Sequence, residues 1–418
     1  MKKMARKTNT RTAQGSGSIR RRKDGVWEAR YTVGRDPGTG KQIQKSVYGS
    51  TQKEVREQLR RITNQLDVGS YHEPCKQKVG DYLDEWYLNY VQGILKPYTV
   101  YTYRGVIKNH LKPHLGAVRL NELTADKVQK MIRALLQGDE RHPPMHPKTI
   151  KNVITVLSSA LEQARVPDEN GQMKIVHNPC RYVRIPSVQE DEPVYLTDEQ
   201  IGDFVRSLED EPLRLLYLIT LFSGMREGEA LGLDWSAVDF DLGCIKISQQ
   251  LQKEKERGGR YYILASTKSD RPRMIYLAPA VMDWLKEQWD AQQAMKEAAG
   301  PAWQENQDLW LLKDGRWFPY EGNLVFTNEF GGHYGMKNMW ERFKKIALQI
   351  GVPNSTVHSL RHSFATVSLA NGDDPKSVQS NLGHATAAFT LQRYAHANDR
   401  SRRESSARME QYIRGMER

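Results

Sequence analysis

The stretch NLGHATAAFTLQRYAHA, residues 381–397, decides how the rest of the chain is read. His384, Arg393 and Tyr394 crowd around a turn and a short helix, with neither Asp nor Glu among them. Donors and a phenol without a carboxylate make a place for a negative charge.

Working outward, three more stretches hold unusual residues. In SGMREGEALGL (223–233), Arg226 follows a Gly-containing turn at the start of a helix, and Glu229 lies one turn later on the same face. A carboxylate there fixes the guanidinium fork, which can then offer donors to a phosphate. In ASTKSDRPRMIYL (265–277), Lys268 falls at the tip of a hairpin. In VHSLRHSFAT (357–366), His358, Arg361 and His362 share one helix face at i, i+3 and i+4. Two His at that spacing also suit zinc, but a zinc-protease helix needs Glu directly after the first His, and Ser359 stands there. No metal site is expected. Each stretch alone also has an ordinary reading, as a surface ion pair, a solvated hairpin Lys or a helix-face pair.

Composition indicates what the negative charge belongs to. The chain carries a net charge of +12, unevenly spread. Residues 1–70 hold 17 Lys and Arg against 6 Asp and Glu, residues 78–187 hold 16 against 10, and residues 188–418 hold 28 against 33. A basic front and a mildly acidic rear assign polyanion binding and chemistry to different domains. No run of about 18 apolar residues could span a bilayer, and MKKMARKTNTR is basic but lacks the apolar stretch of a signal peptide. A cytosolic, nucleoid-associated protein with no membrane partner is expected. Cys75, Cys180 and Cys244 are too scattered for a disulfide framework or a structural zinc site.

At 418 residues, three domains are expected. After a basic tail (1–14) without periodicity, VWEARYTV and KQIQKSVY alternate on either side of the turn DPGTG, and GSIRRRKDG supplies a third strand. Thr51 and Glu54 fit a capping box, and Val55, Leu59, Ile62 and Leu66 give the following helix an apolar face. Residues 1–70 thus read as a small sheet with one helix, whose open face would carry Arg20, Arg22, Arg30 and Lys45 into a major groove. Residues 78–187 read as four helices, with Tyr98, Tyr101, Tyr103, Arg104, Lys108 and Lys112 as candidate contacts to a nucleic-acid backbone. A linker at 188–195 leads to residues 196–418. There the apolar helix PLRLLYLITLFSG precedes three consecutive strands, IKISQQLQ, RYYILAS and RMIYL, and further helices follow Pro279. The acidic and aromatic stretch 296–322 reads as an insertion. The fold class expected is multidomain and mainly α with small β-sheets.

Two Arg, one Lys, two His and one Tyr match the needs of phosphoryl transfer. Arg226 and Arg361 suit the non-bridging oxygens, where transition-state charge must be stabilised. Tyr394 can form a covalent intermediate, with His358 a candidate to take the proton of a phenol whose pKa is about 10. Lys268 can protonate the leaving sugar oxygen.

These residues resemble the tyrosine recombinases, and among them the integrases of phages and conjugative transposons. The family's pattern of Arg, Lys, His-x-x-Arg, His and Tyr falls on Arg226, Lys268, His358, Arg361, His384 and Tyr394, and Glu229 matches an acidic position supporting the first Arg. The resemblance covers nearly the whole chain. It implies an arm-binding domain, a helical core-binding domain and a catalytic domain. It further implies a 3′-phosphotyrosyl link formed without cofactor, exchange through a Holliday junction, and four subunits on two core sites. The C-terminal helix would pack on a neighbour, and an excision factor or DNA-bending protein would assist. A type IB topoisomerase is the alternative within enzymes, distinguished by whether two separate duplexes are joined. A DNA-binding regulator on a retired scaffold is the alternative outside them, disfavoured by six intact active positions.

Overall fold

The protein is described from a computed structural model that covers residues 17–35, 38–67, 75–140, 142–168, 172–187, 194–254, 259–265, 272–306 and 308–383, with short helical pieces between 406 and 416. Its contacts divide into two compact units, Met1–Val91 with Tyr103–Ser187, and Gln92–Thr102 with Val188–Arg418.

In the first unit, strands β1 (Ser18–Arg21), β2 (Trp27–Arg35) and β3 (Gln42–Gly49) form an antiparallel sheet in that order. Helix α1 (Gln52–Asp67) covers one face, burying Val55 and Leu59 against Ala29 and Tyr31. Its start is capped as the sequence suggests, with one change of partner. The Thr51 hydroxyl accepts from the Glu54 N–H at 3.2 Å, while the Glu54 carboxylate reaches back to the Ser50 N–H at 3.0 Å.

The helical part of the chain follows as α2 (Val79–Tyr90), α3 (Pro97–Val106, of which residues 97–102 are grouped with the second unit), α4 (Lys112–Leu115), α5 (Ala125–Gln137) and α6 (Pro147–Ala164). Its core is the apolar periodicity of the sequence, with Leu83, Leu111, Ile132, Ile150 and Leu157 buried. A wide π turn, Ile107–Leu111, joins α3 to α4 just before Pro113, where an ordinary helix would set the proline ring against a carbonyl one turn back. Tyr103 stacks on Trp86, so it is a packing residue rather than a free aromatic contact, while Tyr98 and Tyr101 are exposed.

In the second unit come α7 (Asp198–Ser207), α8 (Arg214–Ser223) and α9 (Glu227–Leu231), then β4 (Val238–Asp239), β5 (Cys244–Ile247), β6 (Gln250–Lys253), β7 (Tyr261–Leu264) and β8 (Arg273–Tyr276). There follow α10 (Pro279–Ala299), β9 (Trp310–Lys313), β10 (Arg316–Pro319), α11 (Met336–Gln349), α12 (Val357–Ala370) and α13 (Pro375–Leu382). Helix α8 is apolar on all sides and is buried nearly all round. The three strands expected in one run are divided between two sheets, β4-β5-β8 and β10-β9-β7-β6. IKISQQLQ breaks after Ile247, so β5 pairs with β8 while β6 pairs with β7. Part of the 296–322 stretch, the hairpin of β9 and β10, completes the second sheet. Residues 296–299 still belong to α10, and β9 lies parallel to β7 with β10 folded back on it.

Candidate active site

Helix α8 ends at Gly224 with φ 67°, a left-handed turn where an added Cβ would run into the Phe364 ring. The turn delivers Arg226 to the start of α9 in extended conformation. Its backbone N–H donates to Glu229 Oε2 at 3.0 Å and its Nη1 to Glu229 Oε1 at 2.8 Å. The expected Arg226–Glu229 pair is therefore present, and its carboxylate is wholly enclosed.

A second arginine shares that carboxylate. Arg273, on β8, donates from Nη1 to Glu229 Oε1 at 3.0 Å and from Nη2 to Oε2 at 2.6 Å. Burial would push the Glu229 carboxyl up, but the hydrogen bonds and charge of Arg273, with the charge of Arg226, outweigh it and hold the group at about 2. Sequence reading missed Arg273, although a signal exists. Met274 and Tyr276 point outward and Ile275 inward, so alternation sets Arg273 on the inward side, where a charge requires a partner.

Arg361 comes from α12 and is buried, with 2% of its surface exposed. Its Nη1 donates to the Gly224 carbonyl at 2.7 Å and its Nη2 to the Leu382 carbonyl. Arg226 Nη2 donates to the Gly383 carbonyl at 3.2 Å, and Arg273 Nε to the Asn381 carbonyl at 2.7 Å. Three guanidinium groups thus hold three successive carbonyls at the end of α13, the negative end of its dipole. Gly383, at φ 64°, makes the left-handed cap that closes α13 there. His358 lies one turn before Arg361, exposed, its ring edge-on to His362 at 4.7 Å. It borders a cleft of about 510 Å³ that Glu227, Trp340 and Lys344 also line. Burial raises the Glu227 carboxyl there, against the Trp340 indole N–H donating to it at 2.6 Å. Arg226, Glu229 and Arg361 therefore meet around the end of α13. Lys268, His384 and Tyr394 lie outside the described residues.

Residues 195–401 match the phage integrase family, and residues 78–136 match the N-terminal SAM-like domain of phage integrases. The chain belongs to the tyrosine recombinases of the phage integrase family. It is an enzyme that cuts and rejoins DNA. Among its relatives are a XerC-like tyrosine recombinase of Caldanaerobacter subterraneus subsp. tengcongensis, 28% identical over 379 residues, 87% of this chain and 90% of the relative. An integrase of Saccharopolyspora erythraea is 21% identical over 462 residues, covering 97% and 98%. In fold the recombinase is similar to the Tn1549 transposon integrase in complex with a circular intermediate DNA. There the TM-score is 0.62 at 20% identity, over 80% of this chain and 99% of that one.

The recombinase's N-terminal sheet has an open face opposite α1. Arg20 pairs across β1 and β2 with Glu28, and Arg30 across β2 and β3 with Ser46, so all four share that face with Tyr48. Arg22 joins them, its guanidinium 5.5 Å from the centre of the Tyr48 ring. Lys45 does not. It stands opposite Tyr31, whose side chain packs toward α1, so the pleat sets Lys45 on the helix-covered side. Glu28, missed in the sequence, ties the basic face together. It accepts from Arg20 at 2.8 Å, Arg30 at 2.9 Å and Ser46 at 2.9 Å, and the bonds from Arg30 and Arg20 hold its carboxyl at about 2. Arg104, in the last turn of α3, and Lys108, in the π turn after it, are exposed, whereas Lys112 pairs with Asp84. Among the described residues no helix is long and apolar enough to cross a membrane.

Proposed function

We propose that this recombinase integrates and excises a mobile element at specific sites. Integrases among its relatives and a transposon integrase among its structural neighbours support that reading. The observation that carries the site is the convergence of Arg226 and Arg361, from separate elements, on the adjacent carbonyl oxygens of Gly383 and Leu382. Two guanidinium groups aimed at neighbouring oxygens can take the non-bridging oxygens of one phosphate.

In this reading the Tyr394 Oη attacks the phosphorus as His358 takes its proton. The P–O5′ bond breaks, Lys268 protonates the departing 5′-oxygen, and a 3′-phosphotyrosyl link remains. Arg226, Arg361 and His384 stabilise the charge on the phosphoryl oxygens, and Glu229 keeps Arg226 oriented. A 5′-hydroxyl from another strand then attacks the link and releases Tyr394, so the bond energy is conserved and no cofactor is consumed. Residues 1–70 would bind arm-type DNA through Arg20, Arg22 and Arg30. Residues 78–187 would bind core-type DNA with Arg104 and Lys108 at the backbone, and 196–418 would form the catalytic domain beyond a 188–195 linker. Four subunits would assemble on two core sites in the cytoplasm, where the chromosome lies, with an excision factor or DNA-bending protein setting direction.

The test uses nicked duplexes cut from the ends of the element that carries its gene, which trap the covalent complex when the nicked fragment diffuses away. The parent protein should accumulate a protein–DNA adduct and Tyr394→Phe none. Equal trapping by Tyr394→Phe refutes the assignment of the nucleophile.

A further inference from the structure

Of the three arginines at the end of α13, two are proposed to take the phosphate, and their donors must turn toward it when DNA binds. Arg273 is differently committed. Its Nε holds Asn381, both its Nη atoms hold Glu229, and its side chain is only 9% exposed. A Cβ placed on Gly383 would come within 3.2 Å of its Cδ, Nε and Nη1, so the guanidinium packs directly against the turn that closes α13. One rigid fork therefore joins β8, α9 and the end of α13.

We propose that Arg273 is a positioning residue for strand cleavage: it fixes Glu229 and the end of α13, so that Arg226 keeps a single orientation while its own donors pass from the Gly383 carbonyl to the substrate phosphate. The inference rests on reading Arg226 as a phosphate ligand. Its physical basis is the division of labour on Glu229. Arg226 contributes one side-chain bond and its backbone N–H to that carboxylate, so without Arg273 the carboxylate could rotate with whichever donor moved. Lys could balance the charge of Glu229 but could not supply a planar bidentate fork and a third donor to Asn381 at once.

The experiment measures single-turnover covalent trapping on the nicked element-end duplexes at saturating full-length protein, with duplex affinity and thermal melting recorded beside it. Arg273→Ala should slow trapping about 100-fold, the order expected from a displacement of about 1 Å at a reacting group, while duplex affinity stays near the parent's. Arg273→Lys should melt close to the parent and still cleave slowly, a separation that a purely structural ion pair would not produce. Because Arg273 acts through Glu229, the Glu229→Gln, Arg273→Ala double variant should cleave no more slowly than the slower single variant. Parent-rate trapping by Arg273→Ala, full rescue by Arg273→Lys, or losses that multiply in the double variant would each overturn the proposal. If Arg226→Ala is inactive while Arg273→Ala matches the parent, the positioning role alone falls. If Arg226→Ala also traps at the parent rate, the active-site reading falls.

Discussion

Replacing Glu229 by Gln should be among the most destabilising isosteric changes in the catalytic unit, and the structure gives the direction and order of magnitude of the effect. The carboxyl is wholly enclosed and moves from 4.5 to about 2 on folding. At about 1.4 kcal/mol for each tenfold in proton affinity, that displacement corresponds to about 3 kcal/mol. Removal of one partner from a buried ion pair costs about 3–5 kcal/mol in general, because the remaining charge is left uncompensated, and here Arg226 and Arg273 would both be left. For a unit of this size the loss should lower the melting midpoint by about 6–12 °C at pH 7. The sign with pH follows from the direction of the shift. Folded Glu229 holds its proton less readily than unfolded Glu229, so its stabilisation is complete above about 4.5 and is lost as pH falls from there toward 2. Calorimetric scans of parent and variant from pH 8 downward should show a steady gap that narrows once the buffer drops below about 4.5. A variant melting within about 2 °C of the parent at pH 7, or a gap that widens on acidification, would refute this account of Glu229.

Other outcomes follow from single features. Gly224→Ala should destabilise the catalytic unit, by about 1–2 kcal/mol for the left-handed backbone and by more for the collision with Phe364, and denaturant titration measures it. Arg30→Ala in the full-length protein should weaken binding to element-end repeats and reduce the slope of log affinity against log salt by about 1. Lys45→Ala, on the opposite side of the sheet, should leave both unchanged.

The mistake about Lys45 has a specific cause. Alternation within KQIQKSVY is plain, but which half of the alternation faces solvent depends on register with β2, and a shift of one residue exchanges the faces. The register pairs Arg30 with Ser46, and an irregularity between Thr32 and Gly34 lies between those pairs and the turn. Helices suffered no such ambiguity. The apolar steps of α5 and α6, and the largely apolar α8, carry their own burial pattern, so local periodicity was enough. Of the strands after Gly243, β7 and β8 were recognisable from alternation, but IKISQQLQ reads as one strand where there are two, because β5 and β6 are nearly continuous in sequence and are separated only by their partners, β8 for one and β7 for the other, and β9 and β10 were not recognised. At the site, HxxRH and the Arg226–Glu229 pair were legible as local spacing. Arg273 was not, because its role depends on bringing β8 beside α9, a contact that no short stretch encodes.

The way the site satisfies its arginines bears on how it can bind DNA. Among the described residues, three guanidinium groups and one carboxylate leave a local excess of positive charge around the end of α13. Carboxylates in place of these carbonyls would cancel that excess before a phosphate arrived, and the phosphate would have to displace charged partners from a low-dielectric site. Main-chain carbonyls satisfy the donors as dipoles without cancelling their charge, and a phosphate can outcompete them because a charged acceptor makes the stronger bond to a guanidinium. The C-terminal end of α13, closed by the left-handed turn at Gly383, supplies successive carbonyls without intrahelical partners for this. In the proposed reading, carbonyls hold the cations without neutralising them, while the buried Glu229 carboxylate, shared between Arg226 and Arg273, is kept for the task that needs a fixed fork.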